Sequence, residues 1–168
     1  KICAQKIMIE SGSNAAGAWL AGAIPHRGAG GETLSEHGMD SLEALSSANH
    51  GYVLMGVDPL MDTAVPSKTR QSLSKAEFVI SISSFATDSL LELSDVLLPM
   101  ALYAENEGCF VNATGIVQNF SPVIKPLGES RPAWKILRVL GSKLNLSGFD
   151  AIELADVLGD SLGQWMAN

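Results

Sequence analysis

Three short stretches carry the residue types that hold small polar ligands, and each follows an apolar run of strand length. Gly56 to Leu60 leaves the run Tyr52 to Val57, Ser83 to Asp88 leaves Phe78 to Ser83, and Pro99 to Gly108 leaves Val96 to Leu98. They present Asp58, Thr87, Asp88, Glu105 and Glu107, whose oxygens accept hydrogen bonds from the hydroxyls or amines of a nucleotide. The same residues have a plainer use. Asp58-Pro59 suits a turn, and Thr87-Asp88 suits a helix cap. On residue type alone, turn and cap outweigh a ligand rim.

Other constellations carry less. Gly28-Ala29-Gly30-Gly31 lacks the GxGxxG spacing of a dinucleotide fingerprint and the Lys-Ser or Lys-Thr of a phosphate loop, so it reads as a surface loop. His26, His37 and His50 fall in loops or helix ends, outside any HExxH pattern. Cys3 and Cys109 are isolated thiols, whereas iron–sulfur and zinc sites take about four ligands. No metal site and no disulfide framework is expected, and Cys109 beside Phe110 reads as a small buried apolar residue. No GxSxG elbow marks a nucleophilic serine. Trp19, Trp134 and Trp165 read as packing anchors, since no basic groove accompanies them.

Bulk composition narrows the class. The chain has 168 residues, 46% hydrophobic and 17% charged, with a formal charge of −7. That is enough apolar material for a packed core, unlike a disordered chain. Its 11 Lys and Arg are scattered, which argues against binding nucleic acid or an anionic membrane. No apolar run approaches the roughly 20 residues of a membrane span.

The elements that must position the three loops follow from periodicity and punctuation. Ile2 to Glu10 reads as the end of a helix, and Asn14 to Gly22 as a short second one; Pro25 to Gly31 is a loop. Asp40-x-x-Glu43 has the spacing of a capping box, with Leu42 and Leu45 behind it, and Asn49-His50-Gly51 is expected to end that helix, with Gly in the left-handed position. Tyr52 to Val57, Phe78 to Ser83 and Val96 to Leu98 read as strands, with helices at Pro66 to Ala76 and after Thr87 or Asp88. Strands apolar throughout imply a parallel sheet between helix layers. Cys109 to Asn112 and Ile116 to Gln118 flank Ala113-Thr114-Gly115 as a hairpin. Pro132 opens an amphipathic helix carrying Trp134, Leu137, Leu140 and Leu144, and a last helix is expected over Ala151 to Trp165. The fold class expected is α/β: a three-layer, mainly parallel, Rossmann-like sheet with helices on both faces, a small β-hairpin and C-terminal helices.

Five motifs in order carry a family resemblance. Ser13-Asn14-Ala15-Ala16-Gly17-Ala18 with Pro25 resembles an "N-x-x-G…P" element. Tyr52 to Pro59 (YVLMGVDP) resembles a strand followed by "G-x-N-P". Phe85-Ala86-Thr87-Asp88-Ser89 with Ser94-Asp95-Val96-Leu97-Leu98-Pro99 resembles "F-x-T-x-T…A-D-V-x-L-P". Glu107 to Gln118 resembles "E-x-G-T-F-x-N-x-x-G-R-x-Q". Pro126 to Trp134 resembles "P-x-G-E-A-x-x-D-W". Together, over residues 7 to 146, they resemble the molybdopterin oxidoreductase superfamily, and within it the large iron–sulfur subunits of respiratory NADH–quinone oxidoreductases.

The departures from that pattern are informative. Asp58 stands where Asn is usual, Cys109 where Thr is, and Ile116 where an Arg follows the glycine. In molybdenum enzymes this region helps cradle a pterin-guanine dinucleotide, and an Asn amide and an Arg cation suit guanine and phosphate. The resemblance therefore implies a non-catalytic structural domain supporting electron transfer from NADH to quinone. Gly56, Asp58, Pro59, Thr87, Asp88 and Glu105 would line a vestigial cleft, with no cofactor in this chain and iron–sulfur clusters elsewhere in its parent. Implied partners are the rest of the parent subunit and other peripheral-arm subunits, on the cytoplasmic side of a bacterial inner membrane or the matrix side in a mitochondrion. Residues 1–146 would form the family domain, N-terminally incomplete, and 147–168 a C-terminal helical extension. The alternative is a cofactor-binding piece of a molybdenum enzyme of the formate dehydrogenase or nitrate reductase type.

Overall fold

A computed structural model describes residues 12–159. In chain order its elements are α1 (Ala15–Leu20), α2 (Ser41–Ser46), β1 (Gly51–Met55), α3 (Pro66–Leu73), β2 (Phe78–Ser83), α4 (Asp88–Leu93), β3 (Val96–Pro99), β4 (Gly108–Val111), β5 (Val117–Phe120) and α5 (Ala133–Lys143). Short 3-10 turns cover Ala29–Gly31 and Tyr103–Glu105. The chain divides into two compact units: 39–107 with 121–152, and the described parts of 1–38, 108–120 and 153–168.

The larger unit is built on β1, β2 and β3, which run parallel and lie side by side in sequence order. Gly51 to Met55 pair with Phe78 to Ile82, and Ile80 to Ser83 with Val96 to Pro99. Tyr52 and Val79 share one register row, so both point to the same face. There they meet Leu73 of α3 and Leu93 of α4 in a buried cluster, backed by Leu45, Leu54, Leu60 and Ala76. The α/β class with a parallel sheet, read from the all-apolar strands, is the fold observed.

Local chemistry explains the helix ends. Asp40 Oδ1 accepts from the Glu43 N–H at 2.8 Å while Glu43 Oε2 accepts from the Asp40 N–H at 3.0 Å, completing the capping box of α2. Pro66 opens α3 at its first turn, where a missing N–H costs nothing. Thr87 caps α4 through the Leu90 N–H, at 3.4 Å. One expectation fails. Helix α2 ends at Ser46 with Ser47 extended, and Gly51 is the first residue of β1 rather than a helix terminator. A Cβ on Gly51 would lie 2.2 Å from the Phe78 ring, which is half exposed.

The smaller unit holds α1 and the β4–β5 hairpin, antiparallel from Gly108↔Phe120 to Val111↔Val117. Its turn closes on Gly115, at φ 84°, and on the Asn112 carboxamide, which accepts from the N–H groups of Thr114 and Ile116. Residues 154–159 are helical, agreeing with the start of the last expected helix. Its remainder, with Trp165, and the expected first helix, with Cys3, lie outside the described residues.

Candidate functional site

The loop after β1 is built around one carboxylate. Gly56, at φ 64°, turns the chain while its N–H still donates to Ile82 O at 2.9 Å. Two residues later Asp58 Oδ1 accepts from the N–H groups of Leu60, at 2.9 Å, and Met61, at 3.1 Å. Asp58 Oδ2 accepts from the hydroxyls of Thr87 and Ser89, each at 2.6 Å. The Asp58 N–H donates to Asp62 Oδ2 at 2.7 Å, and Pro59 between them is fully buried. Burial pushes the Asp58 carboxyl up, but the hydrogen bonds from Ser89, Thr87, Leu60 and Met61 outweigh it and bring the pKa from 3.8 to about 2. Asp58 is therefore an anion throughout the neutral range, with roughly all four of its lone-pair directions occupied by this chain's own donors.

Of the six residues expected on this rim, the structure joins Asp58 directly to Thr87, with Gly56 and Pro59 shaping the turn that carries Asp58. Asp88 is exposed and lies in the first turn of α4, where an acidic residue complements the helix dipole. Glu105 is 5% exposed and bends back on its own loop, accepting from the Leu102 N–H at 2.9 Å. Ser89 is the participant that residue-type reasoning missed. Its signal was the alternate-residue spacing Thr87-x-Ser89, which sets both hydroxyls on one side of the turn into α4.

Further features frame this site. A mainly apolar cleft of about 320 Å3 between α2 and α3 reaches Val57, Asp62 and Thr63 of the same loop. At the amino ends of the strands a more polar hollow of about 360 Å3 is edged by Lys75, Gln71 and the pair His50 Nδ1 and Glu77 Oε1, 2.7 Å apart. Among the described residues no group of three His, Cys, Asp or Glu side chains is placed to hold a metal ion, and no helix is long and apolar enough to cross a membrane.

A separate brace organises the smaller unit. Asn14 Nδ2 donates to Cys109 O at 3.2 Å, and Asn14 Oδ1 accepts from the Val111 N–H at 2.8 Å, so one carboxamide acts as a strand beside β4. Gly17 lies against it: a Cβ there would fall 2.2 Å from Asn14 Oδ1. The N-x-x-G spacing thus has a packing cause. Cys109 is partly buried, and burial pushes its thiol pKa up, away from nucleophilic chemistry. His26 sits edge-on to Trp19, with centroids 5.7 Å apart, and next to His37 at 6.4 Å.

Comparison with known proteins places this architecture. The alpha subunit of F420-dependent formate dehydrogenase 2 from Methanococcus maripaludis is 30% identical over 139 residues, which cover 76% of this chain and 20% of that protein. The mitochondrial 78 kDa subunit of NADH-ubiquinone oxidoreductase from Candida albicans is 30% identical over 129 residues, covering 77% of this chain and 17% of that one. The acetylene hydratase of Pelobacter acetylenicus shares the fold at a TM-score of 0.58 and 18% identity, over 69% of this chain and 16% of the other. The chain thus spans about a fifth or less of the length of these relatives. The molybdopterin oxidoreductase family model matches residues 10–143, and the chain belongs to that family.

Proposed function

We propose that this chain is a non-catalytic structural domain of the large iron–sulfur subunit of an NADH–quinone oxidoreductase, supporting an electron path whose clusters lie elsewhere in its parent. The supporting observation is the closed bonding of Asp58. Both carboxylate oxygens are engaged by Leu60, Met61, Thr87 and Ser89, so the residue at the family's "G-x-N-P" position staples the β1 loop to α4. A ligand amine would have to displace one of these donors. The groups on the three loops also do not fit a pterin-guanine dinucleotide. Its pyrophosphate needs cations or free N–H groups, yet Gly56 to Leu60 and Ser83 to Gly108 contain no Lys or Arg. Like charges about 4 Å apart repel by roughly 4 kcal/mol at an effective dielectric of about 20. Membership of a peripheral arm, with other arm subunits as partners and a location on the inner face of the membrane, is part of the same proposal.

A second reading, a cofactor-binding segment of a molybdenum enzyme, is favoured by one observation: several similar proteins are named formate dehydrogenases. Calorimetric titration with guanosine diphosphate separates the two. No binding up to millimolar ligand is expected. Micromolar binding that Asp58→Ala weakens would overturn the structural reading. Sequence upstream in the parent gene gives an independent check: a Cys, selenocysteine or Ser metal ligand there would favour the molybdenum enzyme.

A further inference from the structure

The chain has three histidines, and the fold treats one of them differently from the other two. His50 belongs to the larger unit and is paired with Glu77. His26 and His37 both lie in the smaller unit, on the loop that follows α1. One backbone hydrogen bond, from the Gly38 N–H to Pro25 O at 2.7 Å, closes the neck of that loop. His26 and His37 are the next residues inward from this bond. They meet as a cross-strand pair does, with ring centroids 6.4 Å apart and ring planes at 68°.

Two neighbouring imidazoles suit a borderline transition-metal ion such as Ni(II), Cu(II) or Zn(II), rather than a hard cation that prefers oxygen. With metal–nitrogen bonds of about 2.1 Å, two imidazoles on one ion have centroids roughly 4.5 to 6.5 Å apart, according to the angle at the metal. The observed spacing lies at the open end of that span. Both histidines are exposed, so rotation of the side chains is enough to bring a nitrogen of each ring onto one ion. The local charge also favours a cation. Residues 26–37 carry Glu32 and Glu36 against Arg27 alone. The Arg27 guanidinium is tied to Thr33 Oγ1, 2.6 Å away. Trp19 lies edge-on to His26, with centroids 5.7 Å apart, and so sits beside any ion held there.

We propose that His26 and His37 form a two-imidazole site that takes one divalent transition-metal ion and clips the neck of the loop. No third His, Cys, Asp or Glu is placed to complete the shell among the described residues. Water fills the remaining positions, so the site is open and exchangeable, unlike a closed structural zinc site. The two ligands stand on chain segments already joined by the Gly38–Pro25 bond, so little ordering entropy opposes the chelate. The inference is independent of the functional proposal, because the Asp58 loop belongs to the other unit.

The test titrates the 168-residue chain with nickel chloride and follows tryptophan emission, since Ni(II) quenches a nearby indole. Saturable quenching by one ion per chain is expected, and Trp19→Phe is expected to abolish it. His26→Gln and His37→Gln are each expected to weaken binding at least about tenfold, and the double variant no further, because a chelate is lost with either ring. His50→Gln is expected to change nothing. Zinc chloride, which does not quench, is expected to displace nickel. At saturation it should slow exchange of the Gly38 amide at least about fivefold, a readout that needs no variant. Unchanged Gly38 exchange with zinc overturns the proposal. So do losses that add in the double variant, which would mean two independent surface imidazoles, and an equal loss in His50→Gln. Quenching that persists in Trp19→Phe, or that does not saturate below about 1 mM nickel, assigns an adventitious ion only and also overturns it.

Discussion

Asp58 shows how one side chain can look like a ligand-binding group and work as a fastener. Hydrogen bonds to a charged acceptor contribute about 1.5–3 kcal/mol each, with strong coupling among bonds that share an atom. Asp58→Ala is expected to destabilise the chain by about 3 kcal/mol in urea melts. Thr87→Val and Ser89→Ala are expected to cost about 1–2 kcal/mol each, and the double variant less than their sum, because both hydroxyls serve Oδ2. The folded pKa of Asp58, about 2, lies below its ordinary 3.8, so the anion is preferred in the folded state. Its stabilisation is fully present above about pH 4 and is lost as pH falls toward 2. Allowing for solvent access, that share is about 1–2 kcal/mol. Melts between pH 5 and pH 2 should show a shallower loss for Asp58→Asn than for the parent; parallel curves would contradict the fastener role.

Two glycines at the level of the elements make opposite predictions from similar clashes. In α1, Gly17→Ala would ordinarily gain about 1 kcal/mol of helix propensity. Here the new methyl meets the Asn14 carboxamide, which is pinned by Cys109 O and the Val111 N–H and cannot yield without losing both bonds. A net cost of about 2 kcal/mol is expected, together with faster amide exchange at Val111. At the head of β1, Gly51→Ala meets only the ring of Phe78, which is half exposed and free to swing outward. A cost below about 1 kcal/mol is expected there. Equal costs at the two sites would show that the Asn14 brace is not what makes Gly17 necessary. Asp40→Ala, which opens the capping box of α2, should cost about 1 kcal/mol.

Across the whole molecule the dominant electrostatic fact is the formal charge of −7. The pairs His50–Glu77 and Arg70–Glu92 are largely exposed and contribute little. Salt should therefore relieve self-repulsion more than it weakens attraction. Raising NaCl from about 10 mM to 200 mM is expected to increase the melting temperature by a few degrees; a decrease would mean that attractive pairs dominate. The same acidity bears on the functional reading, since the loops beyond the strands offer carboxylates and hydroxyls to a ligand and no side-chain cation.

What could be read without coordinates was whatever depends on neighbours along the chain. Apolar runs of strand length, the Asp40–Glu43 spacing, Pro66 and Pro132 at helix starts, and Gly115 in the hairpin turn all act over a few residues, so the α/β class and nearly every element followed from them. The ordered motifs likewise carried the family. Tertiary structure decided everything that depends on residues brought together from a distance. Gly51 was misread as a helix terminator because what makes it the first residue of a strand is pairing with Phe78, 27 positions away in sequence. Ser89 was overlooked because its partner is Asp58, across a separate loop. Asn14 meets β4 almost a hundred residues later. The strands read as apolar on both sides, which is a property of residue type. Which side is covered by α3 and α4 follows from strand order and crossover handedness, and these exist only once the chain has folded.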